Sequence, residues 1–305
     1  MIKNKQKIYS DWENLPKGHL TGDIQEGCLV VEGGSFRGLY NQGVLDALLL
    51  NNIHMQTVIG VSAGAMSGSA YVAGQLGRAI RMNLRYRHDS EYIGLKALKK
   101  CGSVLNIDYI FHAREGIEGF DLKQFKNIKN RRFVAVATNC ETGMPEFFEN
   151  DNCEDIRKAI VASASMPYVS PMRMVEGKKC LDGGCSLSIP YKWTLDRNFE
   201  KIVVIKTQDR SFRKQEKEST AAEVFYKNYP AFSKVLKNRN YAYNQACDEI
   251  DQLEKEGRIF VLAPSKPLSI SRLESDVEKL GDLYWLGYKD TMAVMKDLKQ
   301  YLNIK

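Results

Sequence analysis

The stretch 58-VIGVSAGAMSG-68 runs from β-branched residues into one hydroxyl, Ser62, boxed by glycines and alanines. Such a run favours a strand, and the small residues after it suit a tightly packed helix. Gly60-Val61-Ser62-Ala63-Gly64 satisfies G-x-S-x-G between strand and helix, the setting that holds a serine out on a sharp turn. The glycines remove Cβ atoms that would clash there, and one residue of the turn must take strained backbone angles. Amides at the N-terminus of the following helix point toward the serine, where they favour a developing oxyanion. The competing reading is a plain serine in a helix-capping turn.

Working outward, Cys28–Val31 is a short apolar run ended by Gly33-Gly34, as a buried strand would be. Leu39, Val44, Leu45 and Leu48 then predict a helix over Gly38–Asn51. Thr57–Ile59 is a second strand, followed by Ser62 and a helix reaching to about Gly77. Further strands are expected at Phe133–Ala137, at Ile202–Lys206, and at Met172–Val175 with Lys179–Leu181 as a hairpin. Between them Asp151–Ala164 reads as a helix capped by Asp151 or Asn152. Helical patterns follow over Ser219–Glu256 and from Leu273 to the end, separated by a strand at Arg258–Ala263. Strands alternating with helices predict an α/β fold, a mostly parallel sheet covered on both faces. The division expected is a polar lead-in over 1–26, a core over 27–209 and a helix-rich region over 210–305.

Composition is that of a globular chain: of 305 residues 44% are hydrophobic and 27% charged. The net charge of +7 is dispersed in pieces such as Arg131-Arg132, Lys178-Lys179 and Lys234–Arg239. Such a field suits anionic surfaces, phospholipid headgroups or nucleic acid, without specifying either. The cysteines at 28, 101, 140, 153, 180, 185 and 247 form no CxxC pair and no zinc-ligating spacing, which fits reduced thiols in a cytosol. The basic N-terminus lacks an apolar h-region, and no run approaches the ~18–20 apolar residues of a membrane span. A cytoplasmic protein is expected, with peripheral contact at the inner membrane surface, and neither a metal nor a cofactor.

A serine hydroxyl needs a base to become a nucleophile. The histidines are His19, His54, His88 and His112, and none follows residue 112, whereas the serine–acid–histidine order of α/β-hydrolases puts histidine last. An acid on a tight turn is the better candidate. Leu181-Asp182-Gly183-Gly184 follows a predicted strand, and its glycines let the backbone pass closely behind the carboxylate. Gly33-Gly34-Ser35-Phe36-Arg37-Gly38, after the first strand, presents backbone N–H groups to an anion. It is not a P-loop, because Gly38 is followed by Leu39 and Tyr40 instead of Lys-Ser/Thr. Nor is it a Rossmann loop, because Ser35 takes the middle glycine position and the second strand ends in Gly60-Val61-Ser62 instead of an acid.

With these elements in this order, the chain resembles the patatin-like phospholipase family over about residues 27–209. That family carries a G-G-G-x-R/K-G oxyanion loop, matched by Gly33, Gly34, Ser35, Phe36, Arg37 and Gly38. Its nucleophile elbow is matched by Gly60–Gly64, and its Asp-Gly-Gly by Asp182, Gly183 and Gly184. The segments 162-ASASMPYVSP-171 and 138-TNCETG-143 also look like stretches of the family. The resemblance implies a three-layer α/β fold and a metal-free, cofactor-free Ser–Asp dyad hydrolysing lipid esters, with Ser62 as nucleophile and Asp182 as base. The lipid would be a phospholipid or lysophospholipid, and nucleic acid is not an expected partner. The oxyanion would rest on amides among those of Gly34, Ser35, Arg37 and Gly38. Ser35 departs from the pattern by replacing the third loop glycine, and its Cβ narrows the loop. Arg37 is either a headgroup ligand or, the favoured reading, a pin for the loop. The alternative function is a catalytically silent protein of the same fold that binds lipid or a partner.

Overall fold

The computed structural model describes residues 9–111, 119–127, 130–215 and 220–304. The N-terminal half contains β1 (Gly18–His19), β2 (Ile24–Val31), α1 (Leu39–Leu50), β3 (His54–Val61), α2 (Ala63–Val72) and β4 (Gln75–Leu76). Helices α3 (Arg78–Tyr86), α4 (Leu95–Cys101), α5 (Asp108–Phe111) and α6 (Leu122–Asn127) lead to β5 (Arg132–Asn139) and β6 (Pro145–Glu149). Next come α7 (Ile156–Ser163), β7 (Arg173–Val175), β8 (Lys178–Asp182), α8 (Tyr191–Leu195) and β9 (Ile202–Ile205). The chain ends with α9 (Ala221–Phe225), α10 (Pro230–Lys255), β10 (Phe260–Leu262), α11 (Val277–Ala293) and α12 (Met295–Leu302).

The main sheet has the order β10-β9-β2-β3-β5-β8-β7, with β6 also on β5. Strands β10, β9, β2, β3 and β5 pair in parallel, while β6, β7 and β8 pair antiparallel. Alternate residues of β2 face opposite sides: Leu29 and Val31 join a core with α1 and α11, while Cys28 and Val30 join one with α8 and α10. Both faces being covered explains why the central strands read as unbroken apolar runs instead of alternating ones. The buried residues of α10 include Phe232, Leu236, Tyr243, Cys247 and Ile250, a helical spacing that lays one stripe on the sheet.

The C-terminal helices are tied to the core by buried polar contacts as well as apolar ones. Tyr284 of α11 donates its hydroxyl to Asp46 of α1 at 2.9 Å. Tyr9 and Leu15, in the stretch expected to be a polar lead-in, are buried. No described helix is long and apolar enough to cross a membrane.

Several element boundaries differ from the sequence expectation for local reasons. The helix after Ser62 ends at Val72, not near Gly77, because Gly74 and Gly77 take left-handed φ of 68° and 69°. Between them, β4 pairs with β1. Helix α7 starts at Ile156 with Asp155 as its cap, whose side chain accepts from the Arg157 amide at 3.1 Å; neither Asp151 nor Asn152 plays that part. The pattern expected over Ser219–Glu256 breaks before Pro230, which opens α10; Ser219 itself lies outside the described residues. The tail expected from Leu273 starts at Val277, capped by Asp276, and breaks at Val294. Strand β6 was not foreseen, because Glu146 and Glu149 interrupt its apolar residues; its pairing with β5 forms it.

Candidate active site

Pairing along β5 brings the serine turn and the aspartate turn together. Val134–Val136 pair with β3 and with β6, and Ala137–Thr138 pair with β6 and with β8. A strand has two edges, so β3 and β8 must share one of them, β8 continuing where β3 stops. Val61 lies opposite Val136 and Asp182 opposite Ala137, so Ser62 and Asp182 meet end to end on adjacent registers. The Ser62 hydroxyl donates to Asp182 Oδ2 at 2.6 Å across a sequence separation of 120.

The elbow has the strain expected of it. Ser62 sits at φ 56°, left-handed for a residue with a Cβ. A Cβ at Gly60 would come to 2.5 Å from Gly64 O, and one at Gly64 to 2.3 Å from Val31 O, so neither position admits a side chain. Ser163, at the end of α7, braces the turn: its Oγ accepts the Ser62 amide at 2.8 Å and donates to Val136 O at 2.5 Å.

Asp182 is held from several directions. Its Oδ1 accepts the Gly184 amide at 2.7 Å, its own amide donates to Ser165 O at 2.8 Å, and Thr138 Oγ1 donates to its carbonyl at 2.9 Å. Burial pushes its carboxyl above the usual aspartate range, opposed by the Ser62 hydroxyl, the Gly184 amide and the positive charges of Arg272 and Arg239. The group is therefore a stronger base than an exposed aspartate.

The glycine loop lies against the serine: a Cβ on Gly33 would come within 2.9 Å of the Ser62 Cβ. The Phe36 amide donates to Arg272 O at 3.3 Å and the Arg37 amide to Gly34 O at 3.1 Å. The amides of Gly34 and Ser35, by contrast, have no hydrogen-bond partner among the described residues. Arg37 Nε donates to Ile270 O at 2.9 Å, so this side chain pins the loop. Ser35 is left-handed at φ 54°, the conformation a glycine would take without cost, and its buried Oγ is unpartnered among the described residues.

Two cavities adjoin at Ser35, Ser62 and Met166. One is apolar, lined by Phe36, Leu39, Met66, Met82, Tyr92 and Leu105. It is narrowed to about 50 Å³, partly by Met66, Met82 and Met166, flexible side chains that repack readily. The other, of about 290 Å³, carries the charged residues Glu32, Asp182, Lys214, Arg239 and Arg272 in its lining beside apolar ones.

His19, His54 and His88 are not among the residues that line either cavity. His54 is buried within β3, its amide donating to Gln25 Oε1, and burial pushes its imidazole down to about 4. His112 lies outside the described residues. Sequence reasoning gave no role to Ser163, Ser165 or Thr138, although all three fall in the segments 162–171 and 138–143 that the family resemblance singled out. Lys214, Arg239 and Arg272 were missed as well; only the basic run Lys234–Arg239 hinted at one of them.

A family profile described as "Patatin-like phospholipase" matches residues 29–193, more than half of the chain. The chain belongs to the patatin-like phospholipase family and is an enzyme of the lipid acyl hydrolase type. A second profile, "Domain of unknown function (DUF6363)", matches residues 229–303. Among curated proteins, the uncharacterized protein YjjU of Escherichia coli strain K12 is 26% identical over 274 residues, covering 85% of this chain and 74% of that protein. Among solved structures, VipD from Legionella pneumophila aligns over 97% of this chain and 72% of that chain, with a TM-score of 0.49 and 15% identity.

Proposed function

We propose that the protein is a serine hydrolase of carboxylic esters in phospholipids or lysophospholipids, of phospholipase A or lysophospholipase type. The observation that carries the reading is the 2.6 Å hydrogen bond from the Ser62 hydroxyl to a buried Asp182, at the junction of an apolar and a cationic cavity. Ser62 Oγ attacks the ester carbonyl while its proton passes to Asp182. The oxyanion is taken by the free amides of Gly34 and Ser35. Collapse expels the alcohol, which recovers the proton from Asp182, and leaves the acyl group on Ser62. Asp182 then takes a proton from water as its oxygen attacks the acyl carbonyl, and collapse releases the fatty acid while Ser62 Oγ recovers that proton from Asp182.

Ser62→Ala tests this directly. Trimming a serine in a tight turn changes stability by no more than about 1–2 kcal/mol. The variant is expected to fold, to lose fluorophosphonate labelling and to release no fatty acid from a total lipid extract, as read by mass spectrometry. Turnover retained by a folded Ser62→Ala protein ends the nucleophile assignment. A silent, lipid-binding role is the second reading, favoured by the strained Ser35 in the loop. Absence of labelling in the wild-type protein would select it.

Contact with membrane is peripheral in this reading. Tyr168 and Leu273 line the cationic cavity and are 38% and 45% exposed, and Phe225, 65% exposed, packs edge-on against Tyr168. An apolar rim beside cations suits an anionic interface. Binding to phosphatidylglycerol vesicles is expected to weaken as salt rises, because ~0.15 M salt screens exposed charges beyond ~8 Å. It should weaken also in Val224→Ser/Phe225→Ser, Val224 being the exposed neighbour of Phe225 on α9. Salt-independent binding, or binding unchanged in that variant, would count against this rim.

A further inference from the structure

Lys214, Arg239 and Arg272 all lie outside residues 29–193, in a loop after β9, on α10 and in the loop before α11. They nevertheless line the same cavity, beside Ser62 and Asp182. Among the described residues none of the three forms an ion pair. Several other members of the basic clusters are paired: Arg132 with Glu149, Lys178 with Glu146 and Lys237 with Glu223. Arg239, from the run Lys234–Arg239, instead faces the cavity.

These cations crowd one another. Lys214 is pushed down to about 8, first by burial and then by Arg272 and Arg239, with Glu32 opposing the shift; it still carries its charge at neutral pH. Glu32 and Asp182 also line the cavity, two carboxyl groups against Arg37, Lys214, Arg239 and Arg272. Cations gathered without an ion-pair partner gain more from an anion than cations already paired. The backbone that carries Arg272 is tied to the glycine loop by the Phe36 amide and by Arg37, and Arg272 lines the cavity that also holds Ser62.

Resting on the hydrolase reading, we propose that Lys214, Arg239 and Arg272 form the subsite for the phosphate of a compact anionic headgroup. In this arrangement residues 229–303 supply two of the three cations and so take part in choosing the substrate. A cavity of about 290 Å³ is at the small end of the ~300–1,000 Å³ of small-molecule sites, enough for a headgroup but not a whole lipid. Choline is disfavoured by the same residues. The three cations repel a quaternary ammonium, and of the aromatic rings that line the cavity Tyr243 is already covered by the Lys214 ammonium, 3.6 Å from the ring centre.

Calorimetric binding of short-chain lipids to the full-length Ser62→Ala protein tests the subsite without turnover. Dihexanoylphosphatidate is expected to bind at least about tenfold more tightly than dihexanoylphosphatidylcholine, since charge-assisted hydrogen bonds to a phosphate are about twice as strong as neutral ones and a choline cation is repelled. Arg239→Gln/Arg272→Gln should abolish that preference and Arg239→Lys should retain most of it. Lys234→Gln, an exposed residue of the same helix, should leave it intact. Equal affinity for the two lipids, or a preference that survives in the double variant, overturns the subsite. Inorganic phosphate binding as tightly as phosphatidate overturns the headgroup assignment in favour of a free-phosphate site. If the preference holds but wild-type protein hydrolyses neither lipid, the hydrolase reading falls and the subsite stands.

Discussion

Ser163→Ala removes one hydroxyl that touches neither cavity, and its consequences can be worked from its contacts. Ser163 is fully buried, accepts the amide of Ser62 and donates to the carbonyl of Val136. Alanine fills nearly the same space, so packing is kept and only the two polar contacts are lost. A buried donor left without a partner costs about 1–3 kcal/mol. The carbonyl, which has a second lone pair, adds less, and a total of roughly 2–3 kcal/mol is expected. Urea unfolding should show this as a lower midpoint with an unchanged slope. The effect on catalysis follows from geometry, because Ser62 is held at φ 56° partly through that amide. Freed, the turn relaxes toward ordinary angles and Oγ leaves its 2.6 Å contact with Asp182. A misplacement of ~1 Å costs about a hundredfold in rate, so kcat should fall by ~10–100-fold while KM changes little. Stability within about 0.5 kcal/mol of wild type, together with unchanged fluorophosphonate labelling, would refute the bracing role.

Asp182→Asn keeps the shape of the side chain but removes the proton acceptor, so acylation should fall by ~10²–10⁴-fold, whereas His54→Gln and His88→Gln each leave most of it; a comparable loss in either histidine variant sinks the assignment of the base. Burial raises Asp182 above its unfolded value of ~3.9, so its contribution to stability is complete below that value and lost as pH rises through the folded one; kcat/KM has the opposite limb, falling as pH drops through the raised value, because only the carboxylate accepts the Ser62 proton. Arg239→Gln/Arg272→Gln removes charges that favour the carboxylate and should move this limb to higher pH; a limb at the ordinary aspartate value in wild type would contradict the burial argument. Ser35→Gly relieves a left-handed φ worth ~1–2 kcal/mol and deletes a buried unpartnered hydroxyl, against an unfolded-chain entropy cost of ~0.5–1 kcal/mol, so a net gain of roughly 1 kcal/mol is expected in thermal or urea unfolding, and a loss would show that the loop is not strained there.

Much of the arrangement is local, and local features are legible in a sequence. The alternation of apolar runs with helical periodicities specified an α/β sheet covered on both faces, because strands buried on both sides and amphipathic helices have distinct patterns. The small residues around Ser62 announced a turn of strained angles, since little else fits between Val31, Gly60 and Gly64. The glycines around Asp182, and the absence of a histidine after residue 112, selected an acid as the candidate partner. Helix limits were less legible, because Gly74, Gly77 and Asp155 act through backbone angles and single hydrogen bonds that periodicity does not register.

The tertiary structure decided everything that depends on which distant segments share an edge or a cavity. Ser62 and Asp182 meet because β3 and β8 occupy the same edge of β5 at consecutive registers, and register is a property of the assembled sheet, not of any strand within it. Ser163 became a brace only once α7 packed against that edge. Lys214, Arg239 and Arg272 are ordinary surface cations by sequence. They became one cluster because β10 adds to the sheet beside β9 and α10 lies across its face, folding the C-terminal region back over the serine. Charges far apart in the chain carry no local signature of the cavity they will share, and only the long-range packing that buries the sheet brings them together.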